Sequence, residues 1–144
     1  MLSRINWWAV LVSTVVGIGL GFLWYGVLFL QTWASGNYIT MNEETEAMYK
    51  NGEEVAMSNA PMIVNALAMA VYALLMTWII DKMECTDWGR GAIIGAIVGL
   101  FPTINVFVSN LFAINPVSLS LVDGSYTLVL FTVMGAIIGG WRKS

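Results

Sequence analysis

The chain has 144 residues, 58% of them hydrophobic and only 10% charged, with a net charge of −3 and no histidine. Soluble domains carry about a quarter of their residues as Asp, Glu, Lys and Arg, so this composition excludes a water-facing globule, and the negative balance excludes a basic surface for nucleic acid. A single cysteine, Cys85, allows no internal disulfide, and the lack of histidine rules out a metal site of Cys/His type.

Apolar runs of spanning length, about 20 residues for a hydrocarbon layer of about 30 Å, lie at 5–30, 59–80, 89–112 and 118–141. They do not alternate apolar with polar residues, as barrel strands would. The expected fold class is therefore all-α: an integral membrane four-helix bundle, one transmembrane domain over 1–144. The first run is longer than the 7–15 residues or so of a signal core and reads as a permanent span. Arg4, Lys82, Arg90, Arg142 and Lys143 stand at the edges of these runs. The span interiors are expected to hold no acid or base, since a charge at mid-bilayer costs about 3 kcal/mol. Basic residues near both termini and in the 81–90 loop point to a cytoplasmic face, in the cell (inner) membrane, for both chain ends.

The first span opens with "RINWWAV", where Trp7 and Trp8 beside Arg4 form an interfacial anchor. Asn6, Val10, Ser13, Gly17, Leu20 and Trp24 fall on one helix face, and Gly17 with Gly21 makes a small-xxx-small pair. Trp24, Tyr25 and Trp33 mark the outer boundary. The polar loop 31–58 carries Glu43, Glu44, Glu46, Glu53 and Glu54, which read as a solvated acidic face. Within it "TMNE" (40–43) matches a capping box and "NG" (51–52) a helix stop, which predicts a short amphipathic helix in this first extracytoplasmic loop.

In the second span Pro61 suits a first helical turn, and Met62, Asn65, Met69, Tyr72 and Met76 share a face. In the third, Gly91, Gly95, Gly99, Pro102, Asn105 and Ser109 do so. Pro102 removes one N–H and should kink the helix, leaving the Val98 carbonyl to find another partner. The fourth span groups Thr132, Gly135 and Gly139. By helical rise, Asn65 and Asn105 lie about 9–10 Å below the outer ends of their spans, and Tyr25 and Tyr126 about 8–12 Å. A buried polar cluster of Asn65, Asn105 and Tyr25 is therefore expected, with Tyr126 off the small-residue face; Pro102 and Tyr72 complete the candidate ligand-binding set.

"INWWAV" followed by "LGFLWYGVLFLQTW" resembles a family of small four-span prokaryotic membrane proteins of unknown function, through Asn6, Trp7, Trp24, Tyr25 and Trp33. Where the family places a proline after the Trp-Tyr pair, this chain has Gly26 and Val27. The resemblance implies four spans and no particular activity.

The glycine faces favour a non-enzymatic, assembly-forming or accessory protein, as a homo-oligomer or with another membrane subunit, in contact with lipid and without a cofactor. The alternative is an oligomeric carrier or channel for a small neutral or hydrophobic solute, with its site at the Pro102 break. Intramembrane catalysis lacks the usual acid, base and nucleophile pairings.

Overall fold

The computed structural model describes residues 5–142. Arg4 and Lys143, two of the bases used to orient the spans, lie outside the described residues. Trp7–Leu28, Ala60–Lys82, Trp88–Phe112 and Val117–Trp141 are helical runs long and apolar enough to cross a membrane. Hydropathy therefore placed each span to within a few residues.

Helix α1 (Trp7–Phe22) starts at Asn6, whose side-chain oxygen accepts from the backbone N–H groups of Trp8 (3.1 Å) and Ala9 (3.3 Å). The same amide donates to the Trp141 carbonyl (2.9 Å), tying the start of α1 to the end of the last helix. Beyond Phe22 the helix widens into a π-helical segment, Leu23–Leu28, and breaks at Phe29 (φ −126°, ψ 20°) before a short helix α2 (Leu30–Gly36).

The loop does hold a short helix, α2, but residues 40–51 are not helical. They belong to a three-stranded antiparallel sheet, β1 (Ile39–Met41), β2 (Met48–Lys50) and β3 (Glu53–Val55), in the order β1-β2-β3. Asn51 (φ 53°) and Gly52 (φ 83°) form the two-residue turn between β2 and β3. Positive φ at both central positions is what a hairpin turn matched to strand twist requires, and Asn-Gly supplies it at little cost. The dipeptide read as a helix stop is thus a hairpin. Thr40 caps nothing; Asn42 instead accepts from Glu44 N–H (2.9 Å) and Thr45 N–H (3.3 Å), closing a turn before β2.

Helices α3 (Ala60–Lys82), α4 (Trp88–Phe112) and α5 (Val117–Trp141) follow, with Pro61 in the first turn of α3 and the Asp87 carboxylate capping α4 at Arg90 N–H (2.8 Å). The end of the bundle where α1 starts and α5 finishes is called basal here, and the opposite one the sheet end. At the base, Arg142 pairs with Asp81 (3.0 Å) and donates to the Ile80 carbonyl (3.3 Å), while Cys85 is fully buried.

Helix α5 is the hub. It packs along α4, and also against α1, α2 and α3, whereas α3 and α4 barely touch. Its union with α4 is backbone on backbone: a Cβ at Gly95 would fall on the Phe131 carbonyl oxygen, one at Gly91 on that of Gly135, and one at Gly135 on that of Gly91. Gly99 lies against Phe131 and Gly139 against Asp87 and Gly91. Close approach of this kind is how helices associate where lipid removes the hydrophobic drive. The glycines of α4 and α5 are consumed within the chain, which corrects the expectation that they stand free for a partner. Gly17 faces Met134, Met69 and Leu130, and Gly21 faces the Tyr126 hydroxyl.

Two further expectations change. Helix α4 continues through Pro102 to Phe112 without interruption. The polar chemistry beside the proline is directed at α5: Thr103 Oγ1 donates to the Gly99 carbonyl (2.8 Å) and lies 2.9 Å from Thr127 Oγ1 and 3.1 Å from the Gly124 carbonyl. Nor are the spans free of charge, because Asp123 sits inside α5.

Candidate functional site

Asp123 lies six residues into α5, about 9 Å from its sheet-end terminus. An acid at that depth of an apolar helix is costly and needs partners. Tyr25 supplies one, its hydroxyl donating to Asp123 Oδ1 at 3.1 Å. One residue earlier, the Trp24 indole N–H donates to the Val122 carbonyl at 3.0 Å. Adjacent residues of a helix usually diverge by 100°; here both lie in the π-helical segment, where the widened turn carries them to neighbouring groups on one helix. Such segments recur at functional sites.

The Tyr25 bond is the one well-formed hydrogen bond to this carboxylate among the described residues, and neither of its oxygens is a fully buried atom that lacks a partner. The Asn110 side-chain amide of α4 neighbours the same carboxylate. Its oxygen accepts from Asn115 Nδ2 (3.0 Å), but its own Nδ2 is buried and completes no bond. No basic side chain pairs with Asp123 among the described residues, the ion pair present there being Arg142 with Asp81 at the base.

Aromatic rings wall this group. Tyr25 stands edge-on to Tyr126 (5.0 Å between centroids) and to Trp33 of α2 (5.9 Å), and Trp24 packs on Phe29 (5.2 Å) and Tyr126 (6.4 Å). Eleven residues separate Tyr25 from Gly36, yet their neighbours on α5, Asp123 and Leu119, are only four residues apart, about 6 Å along that helix. Segment 26–36 therefore folds across the end of α5 instead of running straight on, and the break at Phe29 allows it. The outcome is a carboxylate held by the Tyr25 hydroxyl and faced by the Asn110 amide, under an aromatic roof.

Of the residues singled out from sequence, Tyr25 and Tyr126 meet here. Asn65 and Asn105 do not: both are exposed, and neither side chain makes a hydrogen bond among the described residues. The cluster of Asn65, Asn105 and Tyr25 does not assemble, because α3 and α4 touch too little at the sheet end to bring the two amides together. Pro102 is half-buried, and Tyr72 packs at a tilt on Phe131 (5.2 Å between centroids) beside the core. Sequence reasoning missed Asp123, Asn110 and Asn115. The signal for Asp123 was plain: it is an acid well inside an apolar run of spanning length.

A family model described as "Protein of unknown function (DUF1761)" matches residues 8–139. No curated protein and no solved structure matches the chain.

Proposed function

The chain belongs to this family, whose description assigns no activity, and on that footing we propose that it is a non-enzymatic multi-pass protein of the cell (inner) membrane that binds a small cation with an apolar body at its sheet end. The observation that carries the reading is the Asp123 carboxylate, clasped by the Tyr25 hydroxyl, faced by the Asn110 amide and without a basic partner among the described residues. An intramembrane acid without a basic partner favours a positive charge or a proton. Rings around it favour the same charge, since a cation is attracted to an aromatic face by about 0.5–2 kcal/mol.

This places the solute site at Asp123 instead of Pro102, and makes the solute cationic instead of neutral. It also removes the argument against proton coupling, which rested on charge-free spans. The basic residues Lys82, Arg90 and Arg142 all lie at the basal end, which supports a cytoplasmic base and an outward-facing site by the positive-inside rule. The non-enzymatic part of the reading is supported by the lack of histidine and by the full burial of the one thiol.

Trp24 and Trp33 are built-in reporters. Saturable quenching of tryptophan fluorescence by tetraphenylphosphonium, in protein reconstituted into liposomes, is expected for the native chain, lost in Asp123→Asn and kept in Asn65→Leu. A native protein with no saturable response, or an Asp123→Asn variant that responds as the native does, would reduce the cluster to a clasp between α1 and α5.

A further inference from the structure

The two amides left outside that site, Asn65 and Asn105, mark a different surface. At the base, α3 and α4 share one core: Met76 and Ile80 of α3 pack with Ile94 of α4 and with Phe131 and Ile138 of α5, and Tyr72 and Val98 flank them. Asn65 continues the face of Met76 and Tyr72 toward the sheet end, eleven and seven residues on, and Asn105 continues the face of Ile94 and Val98 at the same spacings. These faces meet at the base and part above it. The buried residues of α3 all lie from Met69 to Ile80 and those of α4 from Gly91 to Gly99. Beyond those limits the two faces are open, and the exposed Met62 (75%) lies one turn from Asn65 on α3, with Phe101 (74%) and Phe112 (87%) one and two turns from Asn105 on α4.

A carboxamide left in hydrocarbon has a donor and an acceptor with nothing to meet them. Asn65 lies about 8 Å from the sheet-end terminus of α3 and Asn105 about 10 Å from that of α4, a difference of less than one helical turn. The partner that answers both groups at one depth is a second copy. A two-fold axis along the membrane normal preserves the depth of every residue, and it repeats each contact reciprocally.

We propose that this chain forms a two-fold dimer in the membrane through the sheet-end halves of α3 and α4, with Asn65 of each copy hydrogen-bonded to Asn105 of the partner subunit. Each pair joins two carboxamides, donor to acceptor in both directions, and Met62, Phe101 and Phe112 seal it from lipid. The glycine faces take no part, being occupied within each chain.

The test is disulfide trapping in native membranes between two differently tagged full-length copies, in a Cys85→Ala background. Asn65→Cys in one copy and Asn105→Cys in the other should cross-link on mild oxidation at least tenfold faster than the pair Val64→Cys and Ile104→Cys, which share the same depth on adjoining faces. In the uncross-linked protein, Asn105→Leu should lower the dimer fraction in lipid several-fold and Asn105→Gln should retain it. Equal cross-linking of the two pairs would overturn the proposal, as would a bond forming only within one chain carrying both cysteines, which would mean that the cleft closes on itself. A dimer fraction indifferent to Asn105→Leu would overturn it too, leaving lipid as the occupant. None of these outcomes depends on Asp123 or on cation binding.

Discussion

Alanine at Gly95 is expected to loosen the fold, whereas alanine at Gly19 is expected to leave it intact or slightly steadier. At Gly95 the new Cβ would land on the Phe131 carbonyl oxygen and within 3.1 Å of the Thr132 Cα, where ordinary contact begins near 3.4 Å. Both obstacles are backbone and cannot rotate aside, so α4 has to retreat from α5 by on the order of 1 Å, along a seam held by dispersion contacts that fade over such a gap. Overpacking of this kind costs about 1–3 kcal/mol. Helix α4 barely touches α3, so little elsewhere compensates. At Gly19 nothing lies within 4 Å of the added carbon, and alanine is the better helix former by up to about 1 kcal/mol. That propensity gain is common to both helical sites, so the same chemical change should separate the two variants by the overpacking cost, about 1–3 kcal/mol. Titration of SDS into protein held in a mild detergent, followed by tryptophan fluorescence, measures the difference. If the two variants unfolded at the same SDS fraction, the backbone seam between α4 and α5 would be wrong.

Asn6→Ala removes both the cap of α1 and the clasp on Trp141, and should cost about 1 kcal/mol, with faster amide exchange confined to the first turn of α1. Thr103→Val and Thr127→Val each break the hydroxyl pair between α4 and α5. Each should cost about 0.6 kcal/mol, and the double variant should cost less than the sum because the pair is shared. Gly52→Ala forces a side chain into φ +83°, a strain of about 1–2 kcal/mol borne by the hairpin alone. Proteolysis within residues 39–55 should accelerate while the SDS midpoint of the helices stays put.

The spans were readable because a bilayer asks for little beyond length and apolarity, and helices are the one spanning form that satisfies its backbone within each segment. Helix periodicity groups Asn65 with Met69, Tyr72 and Met76, and Asn105 with the glycines that pack on α5, yet both amides are exposed. It could not say whether a neighbouring helix reaches them, since direction on a wheel carries no distance. The small-residue stripe of α4 was visible in the same way, but spacing alone does not distinguish a partner within the chain from one outside it. In the loop, each strand has only three residues, too few for a period of two to stand out, and Asn-Gly punctuates helices and hairpins alike. Asp123 is hidden in a different way: one acid among apolar neighbours leaves the run as apolar as a span requires, so hydropathy alone does not set it apart from the charges at span edges. Its partner Tyr25 is visible by depth, but the position of Trp24 near a span end fits an interfacial anchor equally well and carries no sign of the indole bond to the Val122 carbonyl.

The helix on which α4 leans most is also the fourth in chain order of the four spans described. Until it enters the bilayer, α1 and α3 can pack on each other, but α4 has little to gather around: it faces lipid with bare peptide groups along its glycine seam, and Tyr25 has no carboxylate to hold. Capture of α4 is thus deferred to a late event during membrane insertion. A chain stalled before α5 should present α4 as a loosely held, protease-sensitive helix beside an α1–α3 pair, open to whatever quality control or insertion factor binds unpacked segments.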